Sequence, residues 1–161
     1  MTVPNLLTSA RMAGIPLVLA FLYFNQPIWA AALFFVLSLT DALDGYLARR
    51  LKMMSDFGKL MDPAADKLLV ISVLILLVEK GISPSLPVII IAARELFIGG
   101  WRAEKGAKGV VVGASITGKI KTVIQVIAVL MLMLNLPYAF CALWIAALVS
   151  IYSGVEYVGR G

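Results

Sequence analysis

Residues 28–78 read IWAAALFFVLSLTDALDGYLARRLKMMSDFGKLMDPAADKLLVISVLILLV. Two apolar runs, 28–49 and 59–78, flank a short polar turn, and aspartates stand at the turn end of each run. A helix needs about 20 mostly apolar residues to cross a bilayer. Four further segments meet that length, at 5–24, 84–101, 116–134 and 137–157. The breaks Asn25-Gln26-Pro27, Glu79-Lys80-Gly81 and Asn135-Leu136-Pro137 suit helical hairpins and leave no room for a second domain. The pattern predicts an all-α integral membrane protein of six transmembrane helices, with residues 1–161 forming one domain.

Composition agrees. The chain has 161 residues, 61% hydrophobic and 14% charged, with mean hydropathy +0.98. Soluble domains carry about 25% charged residues, so a water-soluble enzyme is excluded. Disorder, a coiled coil and a disulfide scaffold fall on the same numbers, since Cys141 is the single cysteine. Histidine is absent, which removes Ser-His-Asp catalysis and any imidazole metal site. Carboxylates and cations must carry the chemistry. The net charge of +5 has no soluble basic face on which to hold nucleic acid; it suits an anionic leaflet or an anionic substrate.

Charge placement sets orientation. With a cytoplasmic N-terminus, the loops at 25–27, 79–85 and 135–137 face outward and hold one of the 14 basic residues, Lys80. The others, among them Arg11, Arg49, Arg50, Lys52, Arg94, Arg102, Lys105, Lys108, Lys119 and Lys121, fall on the inner side. Both termini are therefore expected in the cytoplasm. Residues 1–16 carry Asn5, Thr8 and Arg11 and no small-residue cleavage site after a clean apolar core, so no cleavable signal is expected.

The aspartates are the chemical centre of this reading. Asp41 and Asp44 lie three apart at the inner end of the second span, and Asp62 and Asp66 lie four apart at the start of the third. Both spacings keep a pair on one helical face. An ionised carboxylate near hydrocarbon costs at least about 2.5 kcal/mol on insertion scales, and four together repel unless a cation sits among them. Oxygen donors without sulfur or imidazole select Mg²⁺, Mn²⁺ or Ca²⁺, and four carboxylates suit a two-metal site for phosphoryl displacement. Gly45, Ala48 and Gly58 are small enough to let helices approach closely, or to admit a flat ligand. Asp56 reads as a charge in a wet loop.

The run Asp41-x2-Asp44-Gly45-x2-Ala48-Arg49-x8-Gly58-x3-Asp62-x3-Asp66 resembles the complete signature of the CDP-alcohol phosphotransferase family. That resemblance implies a six-helix membrane protein, a homodimer, using Mg²⁺ or Mn²⁺. Such enzymes move a substituted phosphate from a CDP-linked donor to an alcohol and release CMP. It further implies that Asp41, Asp44, Asp62 and Asp66 hold metal and that Asp66 is the catalytic base. Asn5, Thr8, Arg11, Asp44, Gly45, Ala48, Arg49 and Gly58 would border the CDP group.

Val3-Pro4-Asn5-Leu6-Leu7-Thr8 with Arg11, Ala93-Arg94-Glu95, Arg102 and Gly118-Lys119-Ile120-Lys121-Thr122 are similar to the branch that joins CDP-diacylglycerol to sn-glycerol 3-phosphate. The resemblance thus implies an enzyme of phospholipid biosynthesis in a bacterial-type plasma membrane, with its site near the cytoplasmic face. Its partners would be CDP-diacylglycerol, glycerol 3-phosphate and the bilayer. Arg94, Arg102, Lys119 and Lys121 are the candidate grip on the acceptor's phosphate, because arginine holds phosphate bidentately and lysine adds a point charge. The competing reading for Arg94 is a salt bridge to Glu95 or Glu156, of which the Glu95 pair is the poorer, since adjacent helical residues do not face each other. Lys105 and Lys108 read as positive-inside charge, Trp101 and Trp144 as interfacial or packing aromatics, and 102–118 as an inner loop whose Gly106, Gly109 and Gly113 permit motion. Other acceptors within the family, a cation-coupled transporter and an intramembrane prenyltransferase are the competing readings.

Overall fold

The computed structural model describes residues 3–51, 56–108 and 116–159, with side chains described for 12–40, 67–106, 108 and 116–159. Among the described residues there are six helices and no strand: α1 Val3–Tyr23, α2 Pro27–Leu51, α3 Asp56–Glu79, α4 Ser85–Ala107, α5 Ile116–Met133 and α6 Ala139–Gly159. Five of the six expected spans match a helix to within three residues at either end. The exception is α4, which runs six residues past the expected end at 101. Gly106 therefore lies in a helix rather than a loop, while Gly109 and Gly113 lie outside the described residues.

The turns form for local reasons. After α1, the Gln26 N–H donates to the Phe21 carbonyl at 2.8 Å and the Asn25 N–H to Leu22 at 3.2 Å. After α5, the Leu136 N–H donates to Met131 at 2.9 Å and the Asn135 N–H to Leu132 at 3.1 Å. Asn25 and Asn135 adopt φ of 57° and 50°, the left-handed conformation that asparagine tolerates better than most residues. Pro27 and Pro137 follow where a helix could not continue through them. Gly81, at φ 69°, closes α3 through its N–H to Val78.

The chain divides into two compact units, Met1–Leu77 and Val78–Gly161. In the first, α1 packs on α2, with Ile15, Val18 and Leu22 buried on one helix and Ala30, Ala31 and Phe34 on the other. Gly14 lets the two approach: a Cβ there would come within 2.7 Å of Leu37 Cδ1. In the second, α6 packs against both α4 and α5.

Among the described residues, α5 and α6 are long and apolar enough to cross a membrane, and Met12–Tyr23 and Pro27–Thr40 are shorter apolar stretches. The second unit buries a polar cluster within an otherwise apolar core, and large apolar side chains cover much of its exterior. Ser150, Ser153, Gln125, Glu95 and Lys121 are buried, while Phe97 is 65% and Val155 70% exposed.

Candidate active site

The aspartate positions sit on regular helix. Asp41, Asp44, Gly45, Ala48 and Arg49 occupy the last three turns of α2, and Gly58, Asp62 and Asp66 the first three turns of α3. Asp56 begins α3 rather than lying in a loop, where a negative charge suits the helix N-terminus. Helical geometry sets each pair about one turn apart on its own helix. Immediately before Asp41, Thr40 Oγ1 donates to the carbonyls of Val36 at 2.5 Å and Leu37 at 3.1 Å, a back-bond that commonly bends a helix. The side chains of 41–66 lie outside the described residues, as do those of Asn5, Thr8 and Arg11 in the first turns of α1. Among the described residues no group of three His, Cys, Asp or Glu could hold a metal. The donor set at 41, 44, 62 and 66 is all carboxylate oxygen in a chain without histidine, which fits a hard divalent cation and not zinc.

The basic residues fall into two groups within the second unit. In the deeper one, Glu95 on α4 is the hub. Its Oε1 accepts from Lys121 Nζ of α5, from Arg94 NH1 at 3.3 Å and from Gln125 Nε2 at 3.5 Å. Arg94 NH2 donates to Ser153 Oγ on α6 at 3.0 Å, and Gln125 Nε2 to Ser150 Oγ at 2.9 Å. Ser150 in turn donates to the Ala146 carbonyl at 2.7 Å. One network ties three helices together. The side chains of Lys121, Glu95 and Arg94 are only 7%, 6% and 11% exposed. Gly154 leaves room for the arginine stem, since a Cβ there would meet Arg94 Cγ at 3.3 Å.

The Arg94–Glu95 pair runs against the expectation from sequence. The two Cβ atoms diverge by about 100°, but both side chains are long enough to meet where Glu95 also takes Lys121 and Arg94 also reaches Ser153. Lys119 and Lys121 separate for the same geometric reason. Two residues on a helix point about 200° apart, so Lys121 is buried in the network and Lys119 is exposed on another face.

The second group lies at the C-terminal end of α4. Arg102 sits over the Tyr157 ring at 5.6 Å and Lys105 over Trp101 at 5.3 Å, while the two rings meet edge to face at 6.1 Å. Trp101 and Tyr157 thus form a platform for both cations. Beyond them Lys108 Nζ donates to Glu104 Oε1 at 2.6 Å, and that bond, then the charge of Lys108, holds the exposed Glu104 carboxyl below its usual range. These contacts carry α4 past its apolar stretch. Arg102 lies eight residues after Arg94, about 12 Å along the helix, so the two arginines belong to different levels of the unit.

Several members of these groups escape a reading by charge alone. Ser150, Ser153, Gly154 and Tyr157 recur at i, i+3, i+4 and i+7 along α6, the signal of one face, and Gln125 stands one turn after Lys121.

A sequence model of the family described as CDP-alcohol phosphatidyltransferase matches residues 1–152. A Bacillus subtilis protein named CDP-diacylglycerol–glycerol-3-phosphate 3-phosphatidyltransferase is 38% identical over 180 residues, covering 98% of this chain and 93% of its own. A Rickettsia bellii protein of the same name is 39% identical over 166 residues, covering 96% and 92%. An Arabidopsis thaliana protein of that name, numbered 2, is 34% identical over 186 residues, covering 99% and 79%.

Proposed function

The chain belongs to the CDP-alcohol phosphatidyltransferase family, and on that premise we propose that it transfers the phosphatidyl group of CDP-diacylglycerol to sn-glycerol 3-phosphate. The products are phosphatidylglycerophosphate and CMP, which makes it a transferase of phospholipid biosynthesis. The observation that carries this reading is the similarity, end to end at 38–39% identity, to relatives whose names state that reaction.

The chain acts as one membrane domain of six spans with both termini in the cytoplasm. Supporting this are the apolar exterior of the second unit, the length of α5 and α6, and the skew of basic residues to one side. It functions as a homodimer in a plasma membrane of bacterial type, its site near the cytoplasmic face.

Asp41, Asp44, Asp62 and Asp66 hold Mg²⁺ or Mn²⁺. A divalent cation held there would offset the negative charge of the pyrophosphate and of CMP as it leaves. Gly45, Ala48 and Gly58 leave space for the nucleotide, Arg49 adds charge beside it, and Asn5, Thr8 and Arg11 border it from α1. Arg94, Arg102, Lys119 and Lys121 supply the positive field that draws the acceptor's phosphate. Asp66 takes the proton from the acceptor hydroxyl as its oxygen attacks the β-phosphorus in line. The bond from that phosphorus to CMP breaks, with no covalent enzyme intermediate.

The test is CMP release by the purified protein in detergent with CDP-diacylglycerol, Mg²⁺ and, separately, glycerol 3-phosphate, phosphatidylglycerol, serine, inositol and inositol phosphate. Release with glycerol 3-phosphate alone is expected, abolished by chelation or by Asp62→Asn. Release with another acceptor keeps the family and overturns the acceptor assignment. Silence with all five, from a folded protein, overturns the enzymatic reading.

A further inference from the structure

We infer that Glu95 is a positioning residue for the acceptor site: it absorbs the charge of Lys121 and holds Arg94 as the guanidinium that meets the acceptor's phosphate. This rests on the proposed reading that the basic residues of α4 and α5 serve that phosphate. A carboxylate 5% exposed inside an apolar bundle is costly to keep. A buried ion cluster gives no stability that well-packed apolar side chains would not match, so stability alone does not account for three charges at this point.

The geometry divides the roles. Glu95 Oε1 takes the Lys121 ammonium, and both side chains are almost wholly buried, so that cation is already matched. Arg94 is the second cation on Glu95. It is fixed at two corners, NH1 on Glu95 and NH2 on Ser153, while its Nε has no hydrogen-bond partner. A guanidinium offers five donors, so three stay available in a fixed plane. Gln125 braces the hub from α5 through Glu95 and from α6 through Ser150. Lys121 then acts on the acceptor through Glu95 and not by touching it.

The experiment is steady-state CMP release by the full chain in detergent, varying glycerol 3-phosphate and CDP-diacylglycerol in turn. The variants are Arg94→Lys, Glu95→Gln, Lys121→Met and the double Glu95→Gln with Lys121→Met. Arg94→Lys and Glu95→Gln are each expected to raise KM for glycerol 3-phosphate about tenfold or more, leaving KM for CDP-diacylglycerol within about twofold. Lys121→Met raises the acceptor KM too, because Glu95 then neutralises Arg94. The double variant recovers part of that loss, since Arg94 regains its excess charge. A merely structural cluster would move both KM values together and show no recovery. If Arg94→Lys raises the acceptor KM and Glu95→Gln does not, the inference fails and the acceptor site stands. If neither does, both fail. If Glu95→Gln alone does, it acts by another route and the inference fails. Should Glu95→Gln not fold, Lys121→Met and the double variant decide by the presence or absence of recovery.

Discussion

Replacing Lys121 by methionine strands the Glu95 carboxylate inside the second unit, and the cost follows from the contacts. Breaking a buried ion pair by removing one partner costs about 3–5 kcal/mol, because the other charge is left unmatched. Here Glu95 keeps Arg94 NH1 at 3.3 Å and Gln125 Nε2 at 3.5 Å, which places the expected cost at the lower end, about 3 kcal/mol. Methionine fills most of the lysine stem's volume, so a cavity adds little. A chain of this size loses about 2–4 °C in Tm per kcal/mol, giving a fall of about 6–12 °C. The assay is thermal unfolding in one fixed detergent at one scan rate, followed by tryptophan emission. Lys119→Met, on the exposed face of α5, is the control and should stay within about 0.5 kcal/mol of the parent. A Lys121→Met protein melting within about 2 °C of the parent, the shift of that control, would refute the buried pairing.

Asp66→Asn should lower kcat by about 10²- to 10⁴-fold at every pH tested; a variant that keeps most of its activity removes the base assignment. Asn135→Ala should cost about 1–2 kcal/mol, because Asn135 holds φ of 50°, whereas Asn135→Gly should melt no lower than the parent. The depressed Glu104 carboxyl means that the folded state favours its ionised form. That contribution is present above the ordinary carboxylate range and is lost as pH falls through it. Protection factors of the 104–108 amides, taken relative to the intrinsic exchange rate at each pH, should fall on acidification in the parent and stay level in Glu104→Gln.

The helices and turns were readable because each rests on short-range chemistry: apolar runs of fixed length, then Asn-x-Pro or Gly where the helix must stop. The aspartate positions fall on α2 and α3 as their spacing predicts, while their side chains lie outside the described residues. The end of α4 was not legible, because counting apolar residues finds where a span stops being greasy. The helix continues on side-chain pairs one turn apart, Trp101 with Lys105 and Glu104 with Lys108. Nor was the Glu95 hub. A rule about adjacent residues concerns Cβ directions, and a carboxylate and a guanidinium on long stems can still fold back to each other. The separation of Lys119 from Lys121 was available from arithmetic on the helix. The serine and glycine face of α6 carries no charge to draw attention, yet it supplies two of the network's oxygens and the room for Arg94.

The proposed reaction is a single transfer, so the most direct measurement is its stoichiometry. Purified protein would be given CDP-diacylglycerol, glycerol 3-phosphate and Mg²⁺ in detergent, with CMP and the lipid product quantified together by mass spectrometry. Phosphatidylglycerophosphate and CMP should appear one for one, and neither should form without the acceptor. CMP released at the same rate whether or not glycerol 3-phosphate is present, or a lipid product lacking the acceptor's phosphate, would contradict it.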